Sequence, residues 1–531
     1  MKKKNVCRAA VMLIVLGAAF SSCGRLKDHS QENAVASDSE VTTLDWYINY
    51  SWFTTTWGES QVSKAITKKT GVNIDFVVPS GNEAEKLNSL ISSDTLPDLI
   101  TLSWEDESAE ELIREGKVYA LNELADKYDS HFYDVIDKDS YNWYKNDDGN
   151  VYAYPNSSFS PSDYETHDNI YSNQNFMVRK DIYEAIKSPD MTTPEGFEYA
   201  VKKAVEMFPE IDGEPLIPIG STEFKSDGCV SFDRYLQNFL AVPYEKDGKI
   251  YDRNTDEEYI RWLKVFRKLA EEGYLSDEIF VDKRAQMEEN IASGRCFCMI
   301  YQSADMQNQE NEIYASNPDR IYIAVDGPKN SNGDDPQLPG AGLNGWTVTY
   351  ISKKCKDPEK AIKLLSYLIS EEGQKMVYLG VPGTMYDEVD GKAVTKEGVR
   401  KLLNEDRSEY DRVYGGDNAY WMLQDNVMQL KWSDGGKTLP GALREWTRDY
   451  TVYAGQYEIK FSEDSDEAEI DRRITEVWGQ TLPRLLLASS DEEFDEIMTD
   501  YRTRRDAMGY ATWHSAATEK MNQAKEKLGL Q

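Results

Sequence analysis

Histidine is nearly missing from this chain. There are four, His29, His131, His167 and His514, in 531 residues. They form no HExxH spacing, and neither a GxSxG elbow nor a phosphate-binding loop occurs, so no motif for zinc hydrolysis, a serine nucleophile or nucleotide binding is present. Cysteine is sparse too. Beyond Cys7 and Cys23 there remain Cys229, Cys296, Cys298 and Cys355, too few for a disulfide framework in so long a chain. Cys296 and Cys298 flank Phe297 in an apolar strand. Without further Cys or His at ligand spacing they read as small buried hydrophobes, not a metal pair. Cations are outnumbered, 60 Lys and Arg against 94 Asp and Glu, for a net charge of −34. Loss of residues 1–22, with Lys2, Lys3, Lys4 and Arg8, makes that −38. So acidic a body repels phosphate backbones and anionic membrane surfaces, so nucleic acid is not an expected partner.

The longest early apolar run, Ala9–Phe20, is too short to span a bilayer as a helix. It follows a basic start, MKKKNVCR, and precedes Ser21-Ser22-Cys23, which is the layout of a signal peptide. It resembles a bacterial lipoprotein signal, with Phe20 where Leu is usual. That resemblance implies lipidation of Cys23 as the first mature residue and an extracytoplasmic location at the cell membrane. Residues 24–40 are polar and almost free of bulky side chains, which predicts a flexible tether.

Two motif fragments fail on context. Gly340, Gly342 and Gly345 match a dinucleotide pattern, but an irregular loop precedes them and a strand follows. Asn146–Gly149 has Tyr144 in place of a first acid and Pro155 in place of a closing Glu, so it is not a calcium loop.

Aromatic residues are plentiful, with 33 Tyr and 12 Trp. The start reads as strand Leu44–Asn49, helix Glu59–Lys69, strand Val72–Val78, helix Glu83–Ser92 and strand Leu99–Leu102. That alternation predicts a parallel sheet covered by helices. The last strand delivers Ser103 and Trp104 at its carboxyl end, where open α/β sheets place ligand contacts. Further on, Thr193-Pro194 predicts a helix start, Thr255 and Glu258 a capping box, and Tyr410–Asn418 a loop. Strands and helices alternate throughout, and the length exceeds one core, so the chain is expected to be α/β with two lobes. Trp52, Trp57, Trp104, Tyr154, Tyr301 and Trp346 all fall near strand ends. Flat rings beside polar residues suit the apolar faces and hydroxyl edges of sugars.

Several segments, in order, resemble the family 1 extracellular solute-binding proteins of bacterial carbohydrate ABC importers. They are KKTGVNIDFVV, SDTLPDLITLSW, MVRKDIYEAI with TTPEGFEYAVKKA, YLSDEIF with ENIASGRCFCMIY, and Trp346 with DPEKAIKLLSYLISEEGQKM and LGVPGT. The resemblance implies a two-lobed periplasmic-binding-protein-like α/β fold with a ligand cleft between the lobes. It implies a first lobe from 41–160 and 341–390, and a second from 161–340 closed by a helical 391–531. It implies ligand contacts at Trp52, Trp57, Ser103, Trp104 and Trp346 on the first lobe, and at Tyr154 and Asn156 at the crossing. Tyr301, Gln302 and Asp305 belong to the second lobe, with Tyr420 and Trp421 added from the late region. It implies no catalysis, no cofactor, a carbohydrate ligand, permease subunits as partners, and a monomer held to the membrane by lipid alone. Some relatives carry a calcium loop, but here Glu210–Pro218 is too short to supply its ligands. The competing readings are a surface glycoside hydrolase or lyase with a carboxylate pair, and a surface adhesin.

Overall fold

The computed structural model describes residues 41–432 and 439–530. The signal peptide, Cys23 and the tether lie outside the described residues. Two sheets organise the rest. The first contains β1 (Thr42–Ile48), β2 (Val72–Val77), β3 (Leu99–Ser103) and β4 (Tyr154–Pro155). The second contains β5 (Gln174–Arg179), β6 (Ile217–Gly220), β7 (Cys296–Gln302) and β8 (Tyr322–Ala324), after which β9 (Thr347–Ile351) returns to the first.

In the first sheet the order is β2-β1-β3-β9-β4. β1 runs parallel to β2 and β3, while β9 lies antiparallel between β3 and β4, with Ser103 opposite Thr347. Side chains alternate between two cores. Leu44, Trp46, Leu99 and Ile351 face one, and Tyr47, Ile100, Val348 and Tyr350 the other. Both faces are covered, so β3 reads as an unbroken apolar run. Thr101 and Thr349 are buried polar exceptions that pair with each other. Trp46 Nε1 donates to Thr101 Oγ1 (2.8 Å), whose hydroxyl meets that of Thr349 (2.7 Å). Helix Pro358–Ile369 closes one face with Ile362, Leu364 and Leu365, each fully buried and contributing about 2 kcal/mol.

The second sheet has the order β8-β5-β7-β6. β7 is antiparallel to β5 and parallel to β6, with Cys298 opposite both Val178 and Ile219. Helix Pro194–Met207 packs on it through Phe197, Ala200, Val201 and Ala204. Thr193 caps that helix as its sequence predicts, accepting the N–H of Gly196 (3.2 Å). Gly196 has no alternative, because a Cβ there would lie 1.9 Å from the Asp190 carbonyl oxygen. Cys229, Cys296, Cys298 and Cys355 are all buried free thiols.

Three expectations need correction. Asp256, not Thr255, caps helix Glu257–Glu271, since its carboxylate reaches the N–H groups of Glu258 and Tyr259. Tyr410–Asn418 is a loop only at 414–416, between a helix and a 3₁₀ turn that begins at Asp417. Asp406 caps a helix at Arg407–Val413, Tyr410 is buried, and Arg407 pairs with Asp411 (2.8 Å) and Asp417 (2.9 Å). The late region is divided rather than uniform. Val399, Tyr410, Ala419, Tyr420 and Leu423 pack into the first core, and residues from Leu443 onward pack into the second. No helix among the described residues is long and apolar enough to cross a membrane.

Candidate functional site

The carboxyl ends of β1 and β3 define one edge of the first sheet, and β9 begins beside them. The chain leaving β1 is held there by Asn49, whose N–H donates to the Thr101 carbonyl (2.9 Å) and whose Nδ2 donates to Asp106 (3.1 Å). The next residues turn outward and present Tyr50 and Trp52. Trp346, immediately before β9, comes up alongside. The Trp52 and Trp346 rings lie 6.2 Å apart at 8°, a stacked pair, and each residue is 41% exposed. Trp421 reaches them from a 3₁₀ turn, 5.3 Å from Trp52 and 4.9 Å from Trp346. Tyr50 fills the space beneath, 5.3 to 5.6 Å from all three. Two exposed indole faces on a partly buried aromatic base make a flat apolar platform at a sheet edge.

Asn156 builds this platform without being part of its surface. It is fully buried. Its Oδ1 accepts the N–H groups of Trp346 (3.0 Å) and Thr347 (2.7 Å), and its Nδ2 donates to the Trp421 carbonyl. One amide therefore ties together two tryptophans remote in sequence. The fit is close: Gly345 has φ +67°, and a Cβ there would fall 1.8 Å from the Asn156 carbonyl oxygen.

The second lobe faces the platform with polar groups. The Arg284 guanidinium lies 5.8 Å from the Trp52 ring centre and is held by Glu288 (2.8 Å) and Asp305 (3.0 Å). Asp305 accepts from Gln302 Nε2, and Gln302 Oε1 accepts from the Tyr235 hydroxyl (3.0 Å). A continuous chain, Tyr235–Gln302–Asp305–Arg284, thus lines the side opposite the tryptophans. Tyr235 ends a π-helical turn, Ser231–Tyr235, a rare form frequently found at functional sites.

Other contacts tie residues 458–464 to the first lobe. Lys460 Nζ donates to the carbonyls of Trp104 and Asp106, both at 2.8 Å. Arg114 pairs with Glu463 (3.1 Å) and Asp464 (3.0 Å). Glu458 accepts from Asn344 Nδ2 (3.0 Å), and Asn344 Oδ1 accepts from Trp143 Nε1 (2.6 Å). Burial pushes the Glu458 carboxyl up to about 7, against the opposing hydrogen bond from Asn344.

Of the residues named from the sequence, the structure brings Trp52, Trp346, Trp421, Gln302 and Asp305 together. It does not place the others at that surface. Tyr154 and Tyr301 are 4% and 2% exposed and pack into the first and second cores. Tyr301 alternates with Gln302 along β7, so one faces inward when the other faces out. Asn156 acts from below. Trp57 and Tyr420 line a separate small apolar cavity with Trp46, Phe76 and Leu423. Ser103 accepts the N–H of Glu105 (3.2 Å) and so shapes the turn after β3. Trp104 is half-buried against the core around Leu102 and Ile100; its backbone N–H reaches Trp346 (3.3 Å), but its ring joins no aromatic cluster. Sequence reasoning missed Tyr50, Tyr235 and Arg284. Tyr50 shares the aromatic turn of Trp52 and could have been found, whereas nothing local marks the other two. No group of three or more metal-ligating side chains stands together among the described residues.

Comparison with known proteins agrees with this geometry. YtcQ of Bacillus subtilis, a polygalacturonan/rhamnogalacturonan-binding protein, is 21% identical over 428 residues, 77% of this chain and 80% of that protein. FusA of Streptococcus pneumoniae, a fructooligosaccharide ABC transporter substrate-binding protein, is 24% identical over 53% of this chain and 54% of its own. Among solved structures, the alginate-binding protein AlgQ2 superposes with a TM-score of 0.66 at 19% identity, covering 91% of this chain and 98% of that one. FusA in complex with kestose gives 0.66 at 17%, covering 91% and 100%. These structures share the two-lobed α/β fold. The family profile for bacterial extracellular solute-binding proteins matches residues 56–375. With more than half its length so matched, the chain belongs to the bacterial extracellular solute-binding protein family.

Proposed function

We propose that this protein captures a carbohydrate, an oligosaccharide, between its lobes and delivers it to the permease of an ABC importer. The observation that carries this reading is the exposed stack of Trp52 and Trp346, braced by Trp421 and faced by Arg284 and Asp305 of the other lobe. Indole faces take the apolar side of a sugar ring, and the polar chain opposite takes its hydroxyls. A solute touching both lobes favours their closed arrangement, because only differential binding shifts such an equilibrium. The ligands named for YtcQ, FusA and AlgQ2 are all saccharides, which supports the class. In this reading the first lobe comprises 41–160 with 341–432, and the second 161–340 with 439–530. The protein binds without catalysis, acts as a monomer, and is anchored through lipid on Cys23.

Calorimetric titration against a panel of neutral and acidic oligosaccharides tests it, with the recovered sugar checked for cleavage. At least one sugar is expected to bind unchanged, and Trp346→Ala to weaken it tenfold or more. A cleaved product, or affinity indifferent to Trp346, would overturn the reading. Palmitate labelling of wild type but not Cys23→Ala checks the anchor.

A further inference from the structure

The tryptophan platform stands among carboxylates. In the first lobe Glu83 accepts the N–H of Ser51 (3.0 Å), the residue before Trp52, and Asp106 accepts from Asn49 Nδ2 (3.1 Å) where the chain leaves β1. In the second lobe the Arg284 guanidinium reaches over Trp52, 5.8 Å from the ring centre, with Glu288 at 2.8 Å and Asp305 at 3.0 Å. Arg284 and Glu288 lie four residues apart on one helix, Arg284–Ala292, so they share a face and meet whatever the solute. Asp305 joins them from the 3₁₀ turn after β7, where it accepts from Gln302. The side chains of Arg284, Glu288 and Asp305 are 44%, 32% and 17% exposed, so a solute on the platform can touch all three.

The cation at the platform is therefore over-matched, with two carboxylates on one guanidinium. Neighbouring cations are committed as well. Arg234, which precedes Tyr235, has Glu105 and Asp233 near enough to favour its charge, and Lys225 stands near Glu83. Lys460 Nζ is turned to the carbonyls of Trp104 and Asp106 (2.8 Å each). The whole chain acts in the same direction, since a net charge of −34 repels a polyanion before it reaches the cleft.

Indole faces do not discriminate here, because a uronate ring stacks as well as a neutral one. The polar side does. A solute carboxylate beside Arg284 meets Glu288 and Asp305, and like charges set side by side at a desolvated contact weaken binding steeply. A hydroxyl meets no such opposition. A guanidinium has five N–H donors, more than two ion pairs consume, and both carboxylates accept from O–H groups. The same three side chains thus favour hydroxyls and oppose carboxylates, which is selection by repulsion as well as by attraction.

We propose that the cleft selects a neutral oligosaccharide and excludes uronates, with Glu288 and Asp305 as the residues that make the choice. This rests on the carbohydrate reading above and narrows it.

The test is calorimetry on the full mature chain with matched probes. Short gluco-, manno- and galacto-oligosaccharides are each set against the corresponding glucuronate, mannuronate and galacturonate oligomers and the methyl esters of those acids, with fructo-oligosaccharides beside them. A neutral sugar or an ester is expected to bind at least about tenfold more tightly than the acid with the same ring. Binding of neutral sugars with no measurable binding of any acid counts as that gap. Glu288→Gln and Asp305→Asn keep an acceptor oxygen and remove the charge. Each should improve the acid's affinity about three- to tenfold and leave the neutral sugar within about threefold. Glu288 is the more exposed, so its variant keeps the test valid even if Asp305→Asn fails to fold. An acid that binds as tightly as its ester, or a gap that survives the substitutions, overturns the charge selection and leaves the carbohydrate reading standing. No binding anywhere on the panel overturns both.

Discussion

Asn156 bears the most decisive prediction, because it governs a surface it does not reach. Replacing it with Ala leaves the N–H groups of Trp346 and Thr347 and the carbonyl of Trp421 without their partner. Thr347 is fully buried, so its N–H carries the full desolvation penalty. An unpaired buried group costs about 1–3 kcal/mol and a lost hydrogen bond about 1, so the sum is about 2–4 kcal/mol. The loss is local as well as global. The Gly345–Trp346 turn and the Trp421 backbone are freed together, and the stacked pair loses its alignment. Urea denaturation measures the first effect, and far-ultraviolet circular dichroism the second, since two indoles stacked at 6.2 Å couple as excitons. Asn156→Asp divides the role. It keeps the acceptor for the two N–H groups but sets a carboxylate against the Trp421 carbonyl, so it is expected to cost less at low pH, where the protonated acid donates, than at neutral pH. An Asn156→Ala variant within 0.5 kcal/mol of wild type, with an unchanged exciton signal, would refute the positioning argument.

Three further outcomes are expected. Glu458, raised to about 7 from 4.5, favours the folded state fully below pH 4.5, and that contribution is lost as pH rises through 7. Between pH 4.5 and 8 wild type should therefore lose on the order of 2 kcal/mol more stability than Glu458→Gln, read from urea midpoints, with allowance for partial exposure. Thr101→Val removes the acceptor of Trp46 Nε1 and the partner of Thr349, and should cost about 2 kcal/mol in denaturation with no new pH dependence. Trp104→Ala should lower stability by about 2 kcal/mol, since the ring is half-buried against the core of the first sheet; an unchanged melting curve would mean that packing contributes nothing there.

The elements were largely legible where a periodic apolar pattern met a capping residue, as in Thr193-Pro194 and the run Leu99–Leu102. The alternation of β1, β2 and β3 with helices was visible for the same reason. The site was legible only in part. Trp52 and Trp346 carry a signal because a large ring beside a strand end is exposed or buried according to the turn next to it, and Gly345 makes that turn. Tyr154 and Tyr301 carry the same signal and are core, because the register of β4 and β7 turns them inward. Arg407, paired with Asp411 in its own helix and with Asp417 at the start of the 3₁₀ turn, ties the two across the break at Gly415 and Gly416, a matter of ion pairing that periodicity does not record. Arg284 was invisible, because what sets it apart is which carboxylates stand near it in space.

The tryptophan platform also constrains the life of the chain before it meets any solute. Its pieces come from the first strand turn, the return strand and the late 3₁₀ turn, separated by about 300 and 75 residues, so the loops must close late and at entropic cost. Asn156 cannot bind both of its tryptophan backbones until residue 421 has arrived. A nascent or truncated chain therefore has no tryptophan platform, however well its first sheet has formed. The same joint that shapes the platform makes it a built-in proof of completion, because its three tryptophans align only in the finished chain.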